Sequence, residues 1–337
     1  MPHTNQPLPT VLILGATGSF GGAIAGALLA RGWQVRALTR KLEAAQDAGL
    51  PGVQWVQGDA MNASDVFRAT QGVQFIVHGV NPPNYKRWRE LALPMLDHTI
   101  AAARTSGARV ILPGNVYNFG PDAGALLSED SPQHPVTGKG RVRVEMEQRL
   151  QAASAQGVRS LVIRMGDFFG ARGHSSWFEH LWIKPGRRLS RLSYPGRHDV
   201  GHAWAYLPDA AQALAKLMAI EITAPDRLQA FEVFHFGGHW LPRGAAMPEA
   251  VARAVGQPGL PIRGFPWAVI RLASPFVTFL RELLEMRYLW QVPVQLDNRK
   301  LVAFLGRESH TPLDQAVRAS LKVRQGMDIN ATPQLSH

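Results

Sequence analysis

The sequence predicts an α/β protein built on a doubly wound parallel sheet, and three observations carry that prediction. Strand and helix signals alternate through the first half of the chain, the pattern of a sheet wound with helices. The earliest strand, residues 11–14 (Val-Leu-Ile-Leu), is apolar on every side, as a parallel strand covered on both faces must be. It runs into glycines spaced G-x-x-G-x-x-G (Gly15, Gly18, Gly21) and then an Ala/Leu-rich helical stretch, 19–31, that Gly32 closes.

Strand, glycine turn and helix in that order aim backbone N–H groups and the positive end of a helix at one point, where a pyrophosphate is the usual occupant. Gly15, Thr17, Gly18, Ser19, Phe20 and Gly21 are therefore candidate dinucleotide contacts. The second strand, 34–38, ends in Thr39-Arg40-Lys41. An acidic residue there would accept from a ribose 2′-hydroxyl and indicate NAD. Arg40 suits a 2′-phosphate instead, so NADP is the expected cofactor and NAD the alternative.

The elements continue in order. Strand three spans 53–57 and leads through Gly58-Asp59-Ala60 to a helix near 64–70, capped at Asn62 or Ala63. Strand four, 74–78, opens onto Gly79-Val80-Asn81-Pro82-Pro83, followed by a helical stretch from 85 to 106, kinked or split at Pro94. Strand five, 109–112, precedes Pro113-Gly114-Asn115-Val116-Tyr117-Asn118-Phe119-Gly120. A loop to Gly138 and a charged helix near 141–155 come next, then strand six, 159–164, ending in Met165-Gly166-Asp167-Phe168-Phe169-Gly170. Residues 210–220 read as helix, 231–236 as strand, and 242–321 as mostly helical.

The 337 residues are 46% hydrophobic and 18% charged, enough apolar material for one large domain or a domain with an appended lobe. The absence of cysteine excludes disulfides, thiolate metal sites and a cysteine nucleophile, and fits a reducing compartment. The first ten residues lack the pattern of a signal peptide. The nearest approach to a membrane-spanning run, 267–284, is broken by Arg271, Pro275, Arg281 and Glu282. A cytoplasmic protein without membrane insertion is expected. The net charge of +11 is concentrated: residues 139–197 hold twelve Lys/Arg against four Asp/Glu. No nucleic-acid-binding signature accompanies them, so an acidic cofactor with an acidic substrate, or a solvated basic face, is the expected reason.

Taken together, the chain resembles the extended short-chain dehydrogenase/reductase superfamily, also called the NAD-dependent epimerase/dehydratase family. The resemblance rests on Gly15-Ala16-Thr17-Gly18-Ser19-Phe20-Gly21, Gly58-Asp59, Val116-Tyr117, the stretch from Arg164 to Gly170, and Ala205-Tyr206-Leu207-Pro208-Asp209-Ala210-Ala211. It implies a Rossmann-like doubly wound parallel sheet with a smaller, mostly helical C-terminal substrate lobe. It also implies that Asp59 lies near the adenine, with Ala60 and Gly79 joining the cofactor-binding set. Residues 8–170 and 203–240 would form the dinucleotide-binding domain, and 171–202 and 241–325 the lobe.

The family's chemistry uses a Ser or Thr after strand five and Tyr-x-x-x-Lys on the next helix, the lysine lowering the tyrosine pKa. Here Pro113 stands at the Ser/Thr place. The helix reads Thr137-Gly138-Lys139-Gly140-Arg141-Val142-Arg143, so Tyr/Lys becomes Thr137/Arg141 or Lys139/Arg143. The chain thus resembles the atypical branch. A lysine at the tyrosine place donates a proton if burial and neighbouring arginines depress its pKa. Lys139, with Tyr117 and Asn115 to polarise a carbonyl, is the candidate catalytic set; Asp167 faces the same cleft by topology.

His198/His202 and His235/His239 have i, i+4 spacing, but Gly201 and Pro195-Gly196 oppose a helix around the first pair and no third ligand is evident, so no metal site is expected. His202 reads better as a cleft-lining residue. No G-x-S-x-G elbow exists, which excludes that class of hydrolase. Residues 172–202 mix Trp177, Phe178, Trp182 and Tyr194, with Trp204 just beyond, with Arg172, Lys184, Arg187, Arg188, Arg191 and Arg197. They suit either a ring-bearing anionic ligand or aromatics packed beneath a basic surface. The apolar residues of 242–321 cap the substrate cleft or build a homodimer contact; a membrane-surface helix over 262–290 is disfavoured by sparse basic residues and by Glu282 and Glu285. The tail, 326–337, reads as loose.

The expected function is an NADP(H)-dependent oxidoreductase or epimerase/dehydratase-like enzyme acting at a carbonyl or hydroxyl of a small, acidic organic substrate. The opposed reading is a non-catalytic NAD(P)-binding sensor or scaffold, supported by the missing tyrosine.

Overall fold

A computed structural model describes residues 8–47, 49–82, 87–170, 176–183 and 189–325. β1 (Thr10–Leu14) leads through the glycine turn to α1 (Ser19–Leu29), β2 (Gln34–Thr39), α2 (Leu42–Gln46), β3 (Val53–Gln57), α3 (Ala63–Ala69), β4 (Phe75–His78) and α4 (Trp88–Ser106). Then come β5 (Arg109–Gly114), β6 (Leu126–Leu127), α5 (Gly138–Ser154), β7 (Ser160–Arg164) and β8 (Asp167–Phe169). α6 (Trp177–Trp182), β9 (Leu192–Tyr194), β10 (His202–Tyr206), α7 (Leu207–Thr223) and β11 (Phe231–His235) follow. The last part holds β12 (His239–Leu241), α8 (Ala246–Ala254), β13 (Ile262–Gly264), α9 (Trp267–Ala273), α10 (Thr278–Glu285), β14 (Gln295–Leu296), α11 (Arg299–Leu305) and α12 (Leu313–Gln325).

Seven strands make one sheet in the order β11-β7-β5-β4-β1-β2-β3, and every neighbouring pair is parallel. The apolar run of β1 explains its central place. Val11 and Ile13 pack with Ile24 and Leu28 of α1 and Leu214 and Leu217 of α7 on one face. Leu12 and Leu14 pack with Val66 of α3 and Leu93, Leu96 and Ile100 of α4 on the other. A strand with this period-2 geometry and helices on both sides has no polar face to offer. From β1 the chain winds one way to β2 and β3, then crosses to β4 on the opposite side. The carboxyl ends of β1 and β4 therefore bound the crevice where open α/β sheets bind ligands.

Three elements differ from the sequence expectation. The helix around Pro94 is not split: α4 runs continuously through it, held by nine buried residues along its length; its expected start at Tyr85 lies outside the described residues. β5 is two residues longer than expected and includes Pro113. Its pairing with β4 ends at Ile111, while that with β7 continues to Gly114, so a residue without an N–H is tolerated where one side of the strand is open. α5 begins a turn earlier than residue 141. Thr137 caps it by accepting from the Gly140 N–H at 3.0 Å, and the two glycines that suggested loop lie inside its first turn.

The remaining elements gather around a separate apolar core of Phe119, Phe169, Phe178, Trp182, Trp204, Met247, Val251 and Trp290. β12, β10 and β8 form a three-stranded sheet there, and β13–β9 and β14–β6 are two-stranded pairs. Two carboxylates tie this part to the main sheet. Glu308 accepts from the Gly237 and Gly238 N–H groups at 2.9 and 2.8 Å, and Asp209 accepts from the Thr311 N–H and hydroxyl at 2.6 and 2.9 Å.

Candidate functional site

At the β1–β4 crevice the glycines are dictated by contact. Gly15 has φ +89°, and a Cβ on it would lie 2.7 Å from the Gly79 carbonyl oxygen. A Cβ on Gly21 would lie 2.2 Å from the Gly15 carbonyl oxygen, because α1 seats directly on the turn it follows. Gly79 is held in register by its N–H on the Leu14 carbonyl at 2.9 Å. Gly18 precedes α1 without a side-chain cap, and no acidic residue sits in the first turn. Among the described residues the N–H groups of that turn have no side-chain acceptor, Thr17 and Gly18 are exposed beside them, and Phe20 is buried behind. The Ser19 hydroxyl is buried at the same turn with no hydrogen-bond partner among the described residues. A close-approach backbone, open helix N–H groups and an orphaned hydroxyl together fit a pyrophosphate.

The rest of the expected cofactor set lies at the carboxyl ends of the next strands. Arg40, just past β2, is exposed and makes no ion pair among the described residues. Asp59, just past β3, accepts from the Met61 N–H at 2.9 Å, and its own N–H donates to Asp65 at 2.9 Å. Ala60 is buried, and its carbonyl meets the His98 ring nitrogen at 3.0 Å. This loop is a pre-formed corner rather than a free tip.

At the end of β5, Asn115 shapes the turn that follows. Its amide oxygen accepts from the Tyr117 N–H at 3.0 Å and caps the short 3₁₀ turn Val116–Asn118. Tyr117 is half-buried on that turn. α5 arrives so closely that a Cβ on Gly140 would lie 2.2 Å from the Tyr117 carbonyl oxygen, which brings the neighbouring Lys139 to the same corner. Lys139 is only 6% exposed. One turn on, Arg143 donates to the Pro113 carbonyl at 3.0 Å and stacks over Trp88. In the alternative register, Thr137 is spent as a helix cap and Arg141 faces solvent. Of the residues at this corner, Arg143 and Pro113 are in direct contact, and Lys139 is buried one turn before Arg143 on the same helix.

Sequence reasoning missed His78 behind this corner. It is buried at the end of β4, with Nδ1 2.8 Å from the Thr99 hydroxyl, which itself donates to the Met95 carbonyl. Nδ1 is therefore the protonated nitrogen, and Nε2 is buried without a partner among the described residues. Burial, and then the Arg143 charge, push the His78 pKa down to about 3. A strand-end histidine between Val77 and Gly79 carries no signal of this in one dimension.

A second polar pair was legible only as separate residues. His202 Nε2 and Asp167 Oδ2 are 2.7 Å apart. They are 35 positions apart in sequence and meet because β8 and β10 pair in parallel, with Trp204 opposite Asp167. The His202 ring lies flat on Trp290 at 4.0 Å and 11°. The pair lines a small cleft with Val116, Gly166, Ala203, Leu289 and Val294. Tyr194 sits close by; burial and then the Asp167 charge hold its hydroxyl well above the usual phenol range.

Beneath both polar corners lies a buried ion pair that sequence reasoning also missed. Arg164 donates to both oxygens of Glu147 at 3.1 and 2.6 Å. Asn118 donates to the same carboxylate at 3.0 Å, and His235 Nε2 accepts from Arg164 at 3.1 Å. This network joins β7, α5 and the loop that bears Tyr117. Burial, then Arg164, holds His235 at about 3.

The aromatics of 172–202 resolve differently from a ligand platform. Phe178, Trp182, Tyr194 and Trp204 are buried in the second core. Arg197 is paired with Asp199 on the surface; Arg172, Lys184, Arg187 and Arg188 lie outside the described residues, as does the tail 326–337. Among the described residues no group of three His, Asp or Glu is arranged to hold a metal.

Comparison with known proteins bears on this geometry. The uncharacterized protein y4nL of Sinorhizobium fredii is 29% identical over 182 residues, covering 48% of this chain and 51% of that one. The 3-diazoavenalumate denitrifying reductase of a Streptomyces species is 31% identical over 176 residues, 48% of this chain and 56% of the reductase. The chain thus spans about half the length of the curated relatives it matches. The Bordetella bronchiseptica enzyme WbmH, solved with NAD+, superposes with a TM-score of 0.70 over 94% of this chain and 98% of its own, at 18% identity, a likeness of fold. The family model for NAD-dependent epimerases and dehydratases matches residues 11–229, from β1 to the approach of β11. That span contains the glycine turn, the β5–α5 corner and the strand-end motifs described above, and the chain belongs to the NAD-dependent epimerase/dehydratase family.

Proposed function

We propose that the protein is an NADP(H)-dependent reductase of this family in which Lys139 takes the place of the usual tyrosine. The observation that carries the reading is Lys139, only 6% exposed at the start of α5, one helical turn before the Arg143 that bonds the Pro113 carbonyl at the end of β5. Gly15, Thr17, Gly18, Ser19, Phe20, Gly21 and Gly79 would hold the pyrophosphate, Asp59 and Ala60 the adenine, and Arg40 the 2′-phosphate. Residues 8–170 with 203–240 would carry the dinucleotide, and 171–202 with 241–325 the substrate.

Bound there, a nicotinamide dinucleotide supplies hydride at C4 of its ring. The chain's own task is the proton. In this reading Lys139 Nζ would release its proton to the oxygen of a carbonyl being reduced. Arg143, anchored on Pro113, fixes the distance between helix and strand. His202, oriented by Asp167, would hold an acidic or hydroxyl group of the substrate at the cleft through Nδ1. The relative named as a reductase supports hydride chemistry for this chain.

The test is twofold. NADPH binding is followed by energy transfer from tryptophan, and oxidation of NADPH by absorbance against a panel of aldehydes, ketones and quinones. Lys139→Met should bind NADPH as the wild type does and lose about 10²–10⁴-fold in turnover. Arg141→Ala should leave both unchanged. Tight binding with no turnover across the panel would favour the sensor or scaffold reading. A Lys139→Met enzyme with wild-type turnover would remove the lysine from the mechanism.

A further inference from the structure

One bond decides what the cleft beside His202 can hold. Asp167 Oδ2 lies 2.7 Å from His202 Nε2, and an ionised carboxylate only accepts. The ring proton therefore sits on Nε2, and Nδ1 of the neutral imidazole is a lone pair. The ring is held against exchanging its nitrogens. It lies flat on Trp290 at 4.0 Å and 11°, with the centre of the Trp204 ring 5.2 Å away, and a flipped imidazole gives up the bond to Asp167.

Size and charge narrow the ligand further. The space lined by this pair with Val116, Gly166, Ala203, Leu289 and Val294 is about 10 Å³, room for one water-sized group. Its walls are apolar apart from the pair itself, and no lysine or arginine lines it among the described residues. The arginines nearby in the chain are engaged elsewhere: Arg197 pairs with Asp199, and Arg287 stacks over Trp267. The basic excess that suggests an acidic substrate is thus absent from this cleft. A carboxylate is larger than the space and meets the Asp167 charge with no ammonium or guanidinium to offset it. A hydroxyl fits, and its proton meets a lone pair.

We propose that the substrate is an uncharged hydroxy-aldehyde or hydroxy-ketone whose hydroxyl donates to His202 Nδ1 in this cleft. That its carbonyl is the group reduced rests on the reductase reading above; the hydroxyl subsite is read from the cleft alone. Val116 begins the turn whose Tyr117 carbonyl seats against Gly140, beside Lys139, so the cleft and the β5–α5 corner share that turn. His202 is then a specificity-determining residue, and Asp167 orients it. A site that hydrogen-bonds a hydroxyl discriminates against the analogue lacking it.

Calorimetry of the NADP+-saturated full chain tests the subsite without requiring turnover. The probes are hydroxy-, methyl- and carboxybenzaldehyde, each as its ortho, meta and para isomer. The best hydroxyl isomer should bind about threefold to tenfold more tightly than its methyl counterpart, the worth of one neutral hydrogen bond, and the carboxylates more weakly than either. His202→Gln can keep an N–H on Asp167 but has no atom at the place of Nδ1, so it should erase the difference between hydroxyl and methyl compounds. Lys139→Met should keep that difference, since the lysine acts at the carbonyl. Hydroxyl compounds that bind no better than methyl ones, a carboxylate that binds best, or a His202→Gln protein that retains the preference each overturns the proposal. NADPH oxidation with the same aldehydes separates the two readings. A hydroxyl preference in binding without turnover removes the reductase and leaves the subsite, and turnover without the preference does the reverse.

Discussion

Three alanine substitutions within one turn and helix test how the glycine cradle works, and their signs differ. At Gly21 a new Cβ would lie 2.2 Å from the Gly15 oxygen, 2.7 Å from its carbonyl carbon and 2.9 Å from the Ala16 Cα. All three are backbone atoms, so no side chain can rotate away. Even a close carbon–oxygen contact needs about 3.3 Å, so α1 must lift from β1 by about 1 Å. That movement disrupts the packing of Ile24 and Leu28 against Val11 and Ile13. The cost should be about 3 kcal/mol or more, and NADPH binding should be lost with the cradle. At Gly26 nothing lies within 4 Å of the added Cβ, and the position is an exposed helix interior. Gly26→Ala should therefore stabilise by about 0.8–1 kcal/mol. At Gly18 the nearest atom is the Gly15 oxygen at 3.2 Å; the fold should change by about 1 kcal/mol or less, while NADPH binding weakens at least about tenfold because the methyl group occupies the phosphate approach. Urea unfolding followed by circular dichroism, with NADPH titration of each variant, reads all three. A Gly21→Ala protein with wild-type stability and affinity would refute the contact argument, and a Gly26→Ala protein as damaged as Gly21→Ala would refute its specificity.

Two further outcomes follow from other residues. Arg40→Ala should weaken NADPH binding by about 10- to 100-fold and leave NADH binding unchanged, since a charge-assisted bond is worth about 1.5–3 kcal/mol; equal loss for both cofactors would show that Arg40 does not read the 2′-phosphate. His78 predicts an acid limb to stability. Its folded value of about 3 lies below its ordinary 6.5, so its contribution is complete above about pH 6.5 and is lost as the pH falls towards 3, by about 1.4 kcal/mol per unit. His78→Asn should flatten the plot of unfolding free energy between pH 6 and 4 by that slope, and a variant with the same slope as wild type would exclude His78 as its source.

The local elements were largely legible because their causes are local. The apolar run of β1, the glycine spacing and the cap at Asn62, which accepts from the Ser64 and Asp65 N–H groups, act within a few residues of themselves. The start of α5 was not legible, because Gly138 and Gly140 argue for loop until Tyr117 is seen to leave no room for a side chain at 140. The register of the Tyr-x-x-x-Lys replacement stayed open in the sequence for the same reason: Thr137/Arg141 and Lys139/Arg143 differ only in which side chains face β5.

Residues 11 to 21 alone determine a buried central strand and an anion-ready helix start, since period, glycine spacing and helix composition need no distant partner. The His202–Asp167 pair and the Arg164–Glu147 network depend on which strands pair and which helix faces are covered. Those choices are made by contacts between residues far apart in the chain, where a one-residue change of register would turn each side chain to the opposite face.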